Sequence, residues 1–443
     1  MSSQDLLHRP PVVERVRASP LNKRWPAGFA LAGLAWYASD SLRHRREGGH
    51  GYELEASLDV SGDSFLRATE ALTGAPVSYG NDVELLVNGD NIFPAFLETI
   101  GSAKETLNLL TYVYWTGDIS HDVADALSQR ARAGVTCNVL LDAVGAMKMD
   151  ASLISSMEEA GVRVRRFRPV KPYAIRRVAN RTHRKILVAD GTVGMTGGVG
   201  IAQEWTGNAD DPEHWRDTHV RVRGPVVRGL QGAFAENWLE ATGEVLAGDS
   251  YLPALSPVDG GGAMQVMRSS AGVGDTDAEA LYYLAIASAR ESLDLTSAYF
   301  APRPAFIEAL VEASHRGVKV RILVPGPYME KEIVRQAGRS TYERLLSEGV
   351  RIFEFQPTML HAKCLVVDGI WSSVGSVNFD NRSFQLNDEA TLCIQSRRFA
   401  AQLVEVFEHD LARSKEFRRG YWKERPLRQR AFEQAGRIIR REL

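Results

Sequence analysis

The chain has 443 residues, of which 44% are hydrophobic and 24% charged, a composition typical of globular proteins and not of disordered or fibrous ones. Three cysteines, an odd number without the spacing of a disulfide framework, argue against a disulfide scaffold. The length allows two domains of ordinary size with tails. The formal net charge of −2 conceals two basic stretches: ten Arg or Lys and no acid from Arg163 to Lys185, and eleven basic against four acidic residues from Leu411 onward. Each stretch suits an anionic partner, phospholipid or nucleic acid, or forms a solvated face.

The N-terminal region carries an apolar run from Trp25 to Ala38, with basic residues on both sides and no cleavable signal. The run is shorter than the roughly 20 residues that span a bilayer. Aromatic residues at its ends and the basic flanks predict an interfacial anchor or a marginal membrane segment. A helix packed on the globular body is the alternative.

Along the rest of the chain, predicted strands alternate with amphipathic helices that end near glycine. Strands are predicted within 133–145, 160–169, 183–198, 316–327, 348–357 and 361–376, and helices over Ile119–Ala133, Asp277–Arg290, Ala305–Arg316 and Thr341–Glu348. This alternation predicts an α/β fold with a largely buried sheet in each half.

The sequence repeats itself once. AGVTCNVLLDAVG (133–145), AGVRVRRFRP (160–169) and HRKILVADGTVGMTGG (183–198) return in the same order as RGVKVRILVPGP (316–327), EGVRIFEFQP (348–357) and HAKCLVVDGIWSSVGS (361–376). Such order at long period indicates an internal duplication. We therefore expect a leader at 1–75, a first domain at 76–246, a linker at 247–262, a second domain at 263–415 and a basic tail at 416–443.

The third repeated stretch contains the candidate catalytic residues, in the pattern H-x-K-x-x-x-x-D. Its residues are His183, Lys185 and Asp190 in the first copy, and His361, Lys363 and Asp368 in the second. Residues two apart on a strand face the same side, so each His–Lys pair projects into one pocket. Lysine supplies positive charge for phosphate oxygens, and histidine can act as nucleophile or as acid and base near neutral pH.

The paired motifs resemble those of the phospholipase D superfamily, and the sequence is most similar to the bacterial cardiolipin synthases. The similarity runs from about Asp82 to Arg425 and includes TYVYW (111–115), HWRDTHVRVRGP (214–225), SAYFAP (297–302), GSVNFDNRS and LNDE. It implies two tandem phospholipase D-like domains, each a mixed sheet flanked by helices, related by a pseudo-two-fold axis and sharing one active site.

The resemblance also implies residue roles, with no metal and no cofactor. One histidine attacks phosphorus to form a phosphohistidine, and the other protonates the leaving alcohol and then deprotonates the incoming alcohol or water. We assign the nucleophile to His183 and the acid and base to His361, with Glu389 orienting His361 and Asp217 orienting His183. Asp190 and Asp368 fall at strand–turn junctions, where a turn-stabilising role is an alternative to a catalytic one.

For the phosphate, the resemblance implies a contact from Asn378. The small-residue turns at Gly198 and Ser376 are expected to offer further contacts. Gly200 stands where the family commonly has a second asparagine, a departure that bears on substrate preference. Tyr112, Tyr114, Tyr299 and Phe300 are candidates either for lining the pocket or for core packing.

The expected activity is phosphatidyl transfer that makes cardiolipin from phosphatidylglycerol at the cytoplasmic side of the cell membrane, with anionic phospholipids and the membrane surface as partners. The alternatives are a hydrolytic phospholipase D that releases phosphatidic acid, and a nuclease or phosphodiesterase of the same superfamily. The apolar run and the similarity to the lipid enzymes count against a nucleic-acid substrate. A membrane-bound scaffold with a decayed site is disfavoured because both His–Lys pairs are intact.

Overall fold

Each predicted strand and helix of the repeat lies within a few residues of its expected position. The computed structural model describes residues 52–56, 58–170, 180–271, 275–330 and 332–418. The apolar run at 25–38, the chain beyond 418 and the centre of the basic stretch at 163–185 lie outside these residues. Within the described ranges, no helix has both the length and the apolar character required to cross a membrane.

Helices and strands alternate along the chain. The helices are α1 (Asp63–Thr73), α2 (Gly89–Ser102), α3 (Asp118–Arg132), α4 (Ala151–Glu159), α5 (Val227–Thr242), α6 (Asp277–Ser288), α7 (Pro304–His315), α8 (Glu332–Arg339), α9 (Tyr342–Ser347), α10 (Asn381–Gln385) and α11 (Arg397–Ala412). The first-half strands are β1 (Ser78–Val87), β2 (Thr106–Thr111), β3 (Thr136–Asp142), β4 (Arg163–Phe167), β5 (Arg181–Thr182), β6 (Ile186–Ala189), β7 (Val193–Gly197) and β8 (Thr218–Arg223). The second-half strands are β9 (Gly262–Ser269), β10 (Ser292–Ser297), β11 (Phe300–Ala301), β12 (Lys319–Pro325), β13 (Arg351–Phe355), β14 (Lys363–Val367), β15 (Trp371–Gly375), β16 (Phe379–Asp380), β17 (Asn387–Gln395) and β18 (Ser414–Phe417).

The two halves share one mixed sheet, with the same strand order read outward from a seam between β1 and β9. The first half runs β1-β8-β7-β6-β2-β3-β4, and the second runs β9-β17-β15-β14-β10-β12-β13, with β18 added at its edge. At the seam β1 and β9 are antiparallel, with Ser78 opposite Met264 and Asn81 opposite Gly262. The mixed α/β fold and its internal pseudo-symmetry are thus confirmed, and the two half-sheets join edge to edge.

The central strands are buried because helices cover both faces of the sheet. Along β2, Leu107 and Leu109 pack into a core that includes Ile92 of α2, whereas Leu110 packs into a second core with Phe234 of α5. Successive residues of a strand face opposite sides, so one apolar strand serves both layers. This burial fixes the position of the strands that carry the His–Lys pairs.

Two segments bear on the expected domain boundaries. Helix α1 falls within the expected leader, yet its Phe65 packs edge-on against Trp371 of β15, with ring centroids 5.8 Å apart. Between α5 and β9, residues 243–261 contain no helix or strand. The chain from Leu54 onward groups into one compact unit.

Candidate active site

Both His–Lys pairs lie where a strand of the sheet begins, and they meet at one cavity. His183 and Lys185 lead into β6, and His361 and Lys363 lead into β14. The cavity has a volume of about 450 Å³ and is lined by His183, Lys185 and His361, together with Tyr112 and Tyr299. Three of the four residues of the predicted pairs therefore line one cavity, and Lys363 is buried directly beside His361.

Each histidine contacts an acidic residue of the opposite half. The Glu389 carboxylate lies with both oxygens 3.1 Å from Nδ1 of His183, and Asp217 Oδ2 lies 2.7 Å from Nδ1 of His361. The expected pairing, Glu389 with His361 and Asp217 with His183, is wrong. The two acids were identified, but each was assigned to the histidine of its own half.

Backbone pairing across the two halves explains the exchange. The amide of His183 donates to Asp388 O at 2.8 Å, and the amide of His361 donates to Arg216 O at 2.7 Å. Asp388 and Arg216 immediately precede the two acids. The segment in front of each histidine therefore pairs with the opposite half, just where that half presents its carboxylate.

A carbonyl fixes the tautomer of His183. Its Nδ1 lies 3.0 Å from Ser376 O, which can only accept, so Nδ1 carries the proton. Nε2 then keeps its lone pair and is the nitrogen left to react. The hydroxyl of Ser376 donates to Glu389, and Asn387 Nδ2 donates to the same carboxylate at 3.2 Å.

His361 is held differently, among aromatic rings. The ring centroids of Trp205, Trp215 and Tyr299 lie 5.1, 5.7 and 6.4 Å from that of His361. Trp205 Nε1 also donates to Asp217 Oδ2 at 2.8 Å. Asp217 is thus fixed by a tryptophan, where Glu389 is fixed by a serine and an asparagine.

Burial and charge set the protonation states of the site without substrate. Burial lowers the pKa of His183 to about 4. The carboxylate of Glu389 opposes this shift, and the ammonium of Lys185 adds to it. Burial and Lys363 lower the pKa of His361 to about 3, against the attraction of Asp217. For both acids burial alone would raise the pKa, but the facing histidine and nearby lysines outweigh it and hold the pKa of Asp217 and of Glu389 below its ordinary value.

The lysines are buried beside their histidines. Lys185 Nζ donates to His183 O at 2.8 Å, and Lys363 Nζ lies 2.9 and 3.1 Å from the ring nitrogens of His361. Burial, together with the charge of Lys363, lowers the pKa of Lys185 to about 7, and burial lowers that of Lys363 to about 8. An anionic phosphate would offset these penalties, so this pair of cations favours a phosphoryl group.

Asp190 and Asp368 bind backbone amides away from the two histidines. Asp190 accepts backbone N–H groups of residues 104–106 at 2.8–3.1 Å, and Asp368 accepts those of residues 290–292 at 2.8–3.1 Å. Neither lines the cavity. Both have positive φ, 52° and 54°, in the left-handed region that aspartate tolerates. Each therefore ties the turn after a motif strand to the start of the neighbouring strand, which is the turn-stabilising alternative.

Of the three expected phosphate contacts, Asn378 alone lines the cavity. The hydroxyl of Ser376 is used by Glu389 and Ala390, and the amide of Gly198 donates to Thr218 O at 3.1 Å. A side chain on Gly198 would put its Cβ 2.1 Å from Asp217 Oδ1, so this glycine makes room for the acid. Ser376 and Gly198 thus position the two acids, and neither lines the cavity. Their contact with phosphate stays a prediction.

The departure at Gly200 has a packing cause. A Cβ at this position would lie 2.7 Å from Cβ of Val113 and 3.2 Å from the ring of Trp205. The space of an asparagine side chain is therefore filled by a valine and a tryptophan of the same half.

Several cavity residues were not singled out from the sequence: Trp205, Trp215, Glu330, Asp380, Arg382 and Asn387. Trp215 and Asn387 lie within the quoted WRDTH and LNDE stretches, which could have indicated them. Asp380 and Arg382 likewise lie within the quoted GSVNFDNRS stretch. Trp205 and Glu330 enter through tertiary packing, for which the local pattern gives no signal. Within the described residues, no group of three His, Cys, Asp or Glu is arranged to hold a metal ion.

Comparison with known proteins agrees with this geometry. The profile of the family described as "Cardiolipin synthase, PLD-like domain" matches residues 96–211 and 282–411, which include both His–Lys pairs. The chain is 34% identical over 377 residues to a cardiolipin synthase of Alkalihalophilus pseudofirmus, covering 85% of this chain and 75% of that protein. The chain belongs to the cardiolipin synthase family of phospholipase D-like proteins. It is accordingly an enzyme of the phosphatidyltransferase type within that superfamily.

Other members and a solved structure extend the comparison. A cardiolipin synthase of a Geobacillus species is 35% identical over 377 residues, again covering 85% of this chain and 75% of that protein. The crystal structure of a phosphatidylserine synthase of Haemophilus influenzae superposes with a TM-score of 0.65 at 14% identity, covering 86% of this chain and all of the other. At that identity the structural likeness shows the shared fold.

Proposed function

We propose that the protein transfers a phosphatidyl group from one phosphatidylglycerol to the free hydroxyl of another, giving cardiolipin and glycerol. The observation that carries the proposal is the pair of buried histidines at one cavity, each with Nδ1 against a carboxylate and each with a lysine two residues on. The names of the relatives are consistent with this reaction.

In the first step His183 Nε2 attacks phosphorus. The P–O bond to the glycerol headgroup breaks, and His361 gives its proton to the leaving oxygen. Phosphate beside the ring offsets the burial that otherwise lowers the pKa of His361, so the imidazolium forms when substrate is bound. The short contact of Asp217 with Nδ1 further favours this charged form.

In the second step the terminal hydroxyl of another phosphatidylglycerol attacks the phosphohistidine. The new P–O bond forms as the P–N bond breaks, the electron pair returns to His183 Nε2, and the hydroxyl proton passes to His361. The lysines remain as charges beside the phosphoryl oxygens throughout. In this mechanism only His183 forms a P–N bond. Labelling with radioactive phosphorus can test that assignment.

The substrates are phospholipids, as membership of the family implies. We further propose that phosphatidylglycerol and cardiolipin are bound at the cytoplasmic face of the membrane. The apolar run Trp25–Ala38 would hold the enzyme there, with the basic stretches facing anionic headgroups. Deleting residues 1–45 should then shift the protein out of the membrane fraction.

The reaction is tested by incubating the full-length protein with phosphatidylglycerol vesicles and separating the lipids by chromatography. Cardiolipin and free glycerol in equal amounts are expected, with or without a metal chelator. Phosphatidic acid as the sole product would replace transfer by hydrolysis. Cleavage of DNA or of a simple phosphodiester, without any lipid product, would overturn the lipid assignment.

A further inference from the structure

The cavity has two chemically different walls. The first half supplies a largely apolar wall of Tyr112, Val113, Trp115, Met147, Trp205 and Trp215. Its charged member is Lys148, whose Nζ lies 4.1 Å from the ring centroid of Trp115. The second half supplies a polar wall of Tyr299, Glu330, Asn378, Asp380, Arg382 and Asn387. Beyond the histidines and lysines, the halves of a pseudo-symmetric site therefore present opposite chemistry.

The fold does not require this difference, since corresponding positions carry different residues. The hydroxyl of Thr111 donates to Val113 O at 2.9 Å, and that of Ser297 donates to Tyr299 O at 2.8 Å, so Val113 and Tyr299 occupy the same place in the two halves. In the sequence repeat, Gly200 corresponds to Asn378. An apolar or absent side chain in the first half is thus replaced by a polar one in the second.

The polar wall is rich in hydrogen-bond acceptors. At the cavity mouth the Glu330 carboxylate accepts from the Tyr299 hydroxyl at 2.9 Å. Deeper, Asp380 is buried and accepts from the backbone N–H of Ser383 at 2.8 Å. The Oδ1 atoms of Asn378 and Asn387 are buried with no hydrogen-bond partner in the described part of the chain. Buried acceptors without partners are costly, so a ligand with several O–H donors would satisfy this wall.

We propose that the polar wall is the subsite for the acceptor alcohol, binding the glycerol hydroxyls of the incoming lipid, while the apolar wall contacts the diacylglycerol part. The inference rests on the proposed function and adds to it the residues that select an alcohol over water. The phosphoryl group lies between the walls, at the two lysines. A polyol is the class of acceptor that suits carboxylates and amide oxygens beside the guanidinium of Arg382.

The wall acts in the second step, where alcohol and water compete for the same phosphohistidine. With either acceptor the P–N bond breaks, a P–O bond forms and His361 takes the proton. A bound hydroxyl has a far higher effective concentration at phosphorus than a free one. The ratio of cardiolipin to phosphatidic acid therefore reports occupancy of the wall, independently of how fast the phosphohistidine formed.

The test measures this ratio in the full-length protein on phosphatidylglycerol vesicles. Glu330→Gln removes a charge, and Asp380→Asn replaces a carboxyl group whose pKa burial raises to about 7. The asparagine can still accept from the Ser383 amide. We expect the share of phosphatidic acid to rise about tenfold in each variant, the effect of losing one hydrogen bond to the acceptor. Glu343→Gln, at an exposed residue of α9 away from the cavity, is the matched control and should leave the ratio unchanged.

A second measurement needs only the wild-type protein. Glycerol and methanol are added together and compete for the phosphatidyl group. The polar wall predicts that the glycerol product strongly exceeds the methanol product, and that this excess is smaller in both variants. Equal use of the two alcohols, or an unchanged product ratio in both variants, overturns the subsite. If the wild-type protein transfers the phosphatidyl group to no alcohol at all, the proposed function is overturned, and the acceptor subsite with it.

Discussion

Glu389 belongs to the second half of the sheet, yet its carboxylate lies 3.1 Å from Nδ1 of His183 in the first half. The reciprocal contact joins Asp217 to His361 at 2.7 Å. Each reactive histidine therefore takes its strand from one half and its orienting acid from the other. A site built in this way exists only when both halves are folded together.

The two orienting acids are expected to differ in importance. Nδ1 of His183 also donates to Ser376 O, whereas for Nδ1 of His361 the acceptor found among the described residues is Asp217. Replacing Asp217 by Asn should therefore lower kcat about 10²-fold or more, because Lys363 can then hold the wrong tautomer of His361. Glu389→Gln should cost about tenfold, since one acceptor remains. Asp249→Asn, on the exposed segment after α5, is the control. An equal loss of kcat in the Asp217 and Glu389 variants would contradict the idea that Ser376 O supports His183 as a second acceptor.

Labelling can identify the nucleophile. A phosphatidyl donor with radioactive phosphorus and a p-nitrophenyl leaving group needs no acid in the first step. His361→Ala should accumulate a labelled phosphohistidine that breaks down slowly, because no base activates the acceptor. His183→Ala should carry no label, although both variants keep the circular dichroism spectrum of the native protein. Label on the His183→Ala protein would exchange the two roles.

The motif aspartates should affect stability and leave the chemistry intact. Asp190→Ala and Asp368→Ala each abandon three backbone N–H groups at a turn with positive φ. We expect the free energy of unfolding to fall by about 2–3 kcal/mol in each, from urea denaturation monitored by circular dichroism. The kcat/KM of the folded protein should stay within a few-fold of wild type. Asp125→Ala on the exposed face of α3 is the control, and a collapse of kcat/KM without a loss of stability would restore a catalytic role.

With the p-nitrophenyl donor, whose first step needs no proton from His361, the pH dependence of kcat/KM should have two limits set by the free enzyme. Lys185 binds phosphate as an ammonium, and its pKa is lowered to about 7 by burial and by Lys363, so kcat/KM should fall as the pH rises through this range. His183 must be neutral to attack, and burial lowers its pKa to about 4, so activity should fall again only near that acid limit. Lys185→Arg should shift the alkaline limit upward, because arginine stays charged. An alkaline limit that is unmoved in this variant would assign it to another group.

The sequence predicted the parts of this site that depend on local pattern. Residues two apart on a strand must face the same side, so His183 and Lys185 could be placed together from spacing. The duplication identified His361 and Lys363 as the second pair, and the family resemblance placed both pairs in one site. The strands and helices of the repeat were predicted for the same reason. The membership of Asp217 and Glu389 in the site followed from the family resemblance.

Contacts between segments distant in the chain could not be predicted in this way. The pairing of Glu389 with His183 depends on the amide of His183 reaching Asp388 O across the sheet, which no local pattern encodes. The reason for Gly200 lies in the approach of Val113 and Trp205. The positions of Asp190 and Asp368 beside the histidines in the motif suggested catalysis, but positive φ after the strand turns their side chains to the adjacent backbone.

The reciprocal placement of the acids also determines what an exchange of halves between two molecules would produce. The halves are joined by 243–261, a stretch without helix or strand, and by a short pairing of β1 with β9. Two chains that swapped their second halves would each donate both of their carboxylates to histidines of the other, one at each site, and both sites would be complete. Such a dimer would be as active per chain as the monomer, whereas either half produced alone would hold a histidine without its acid.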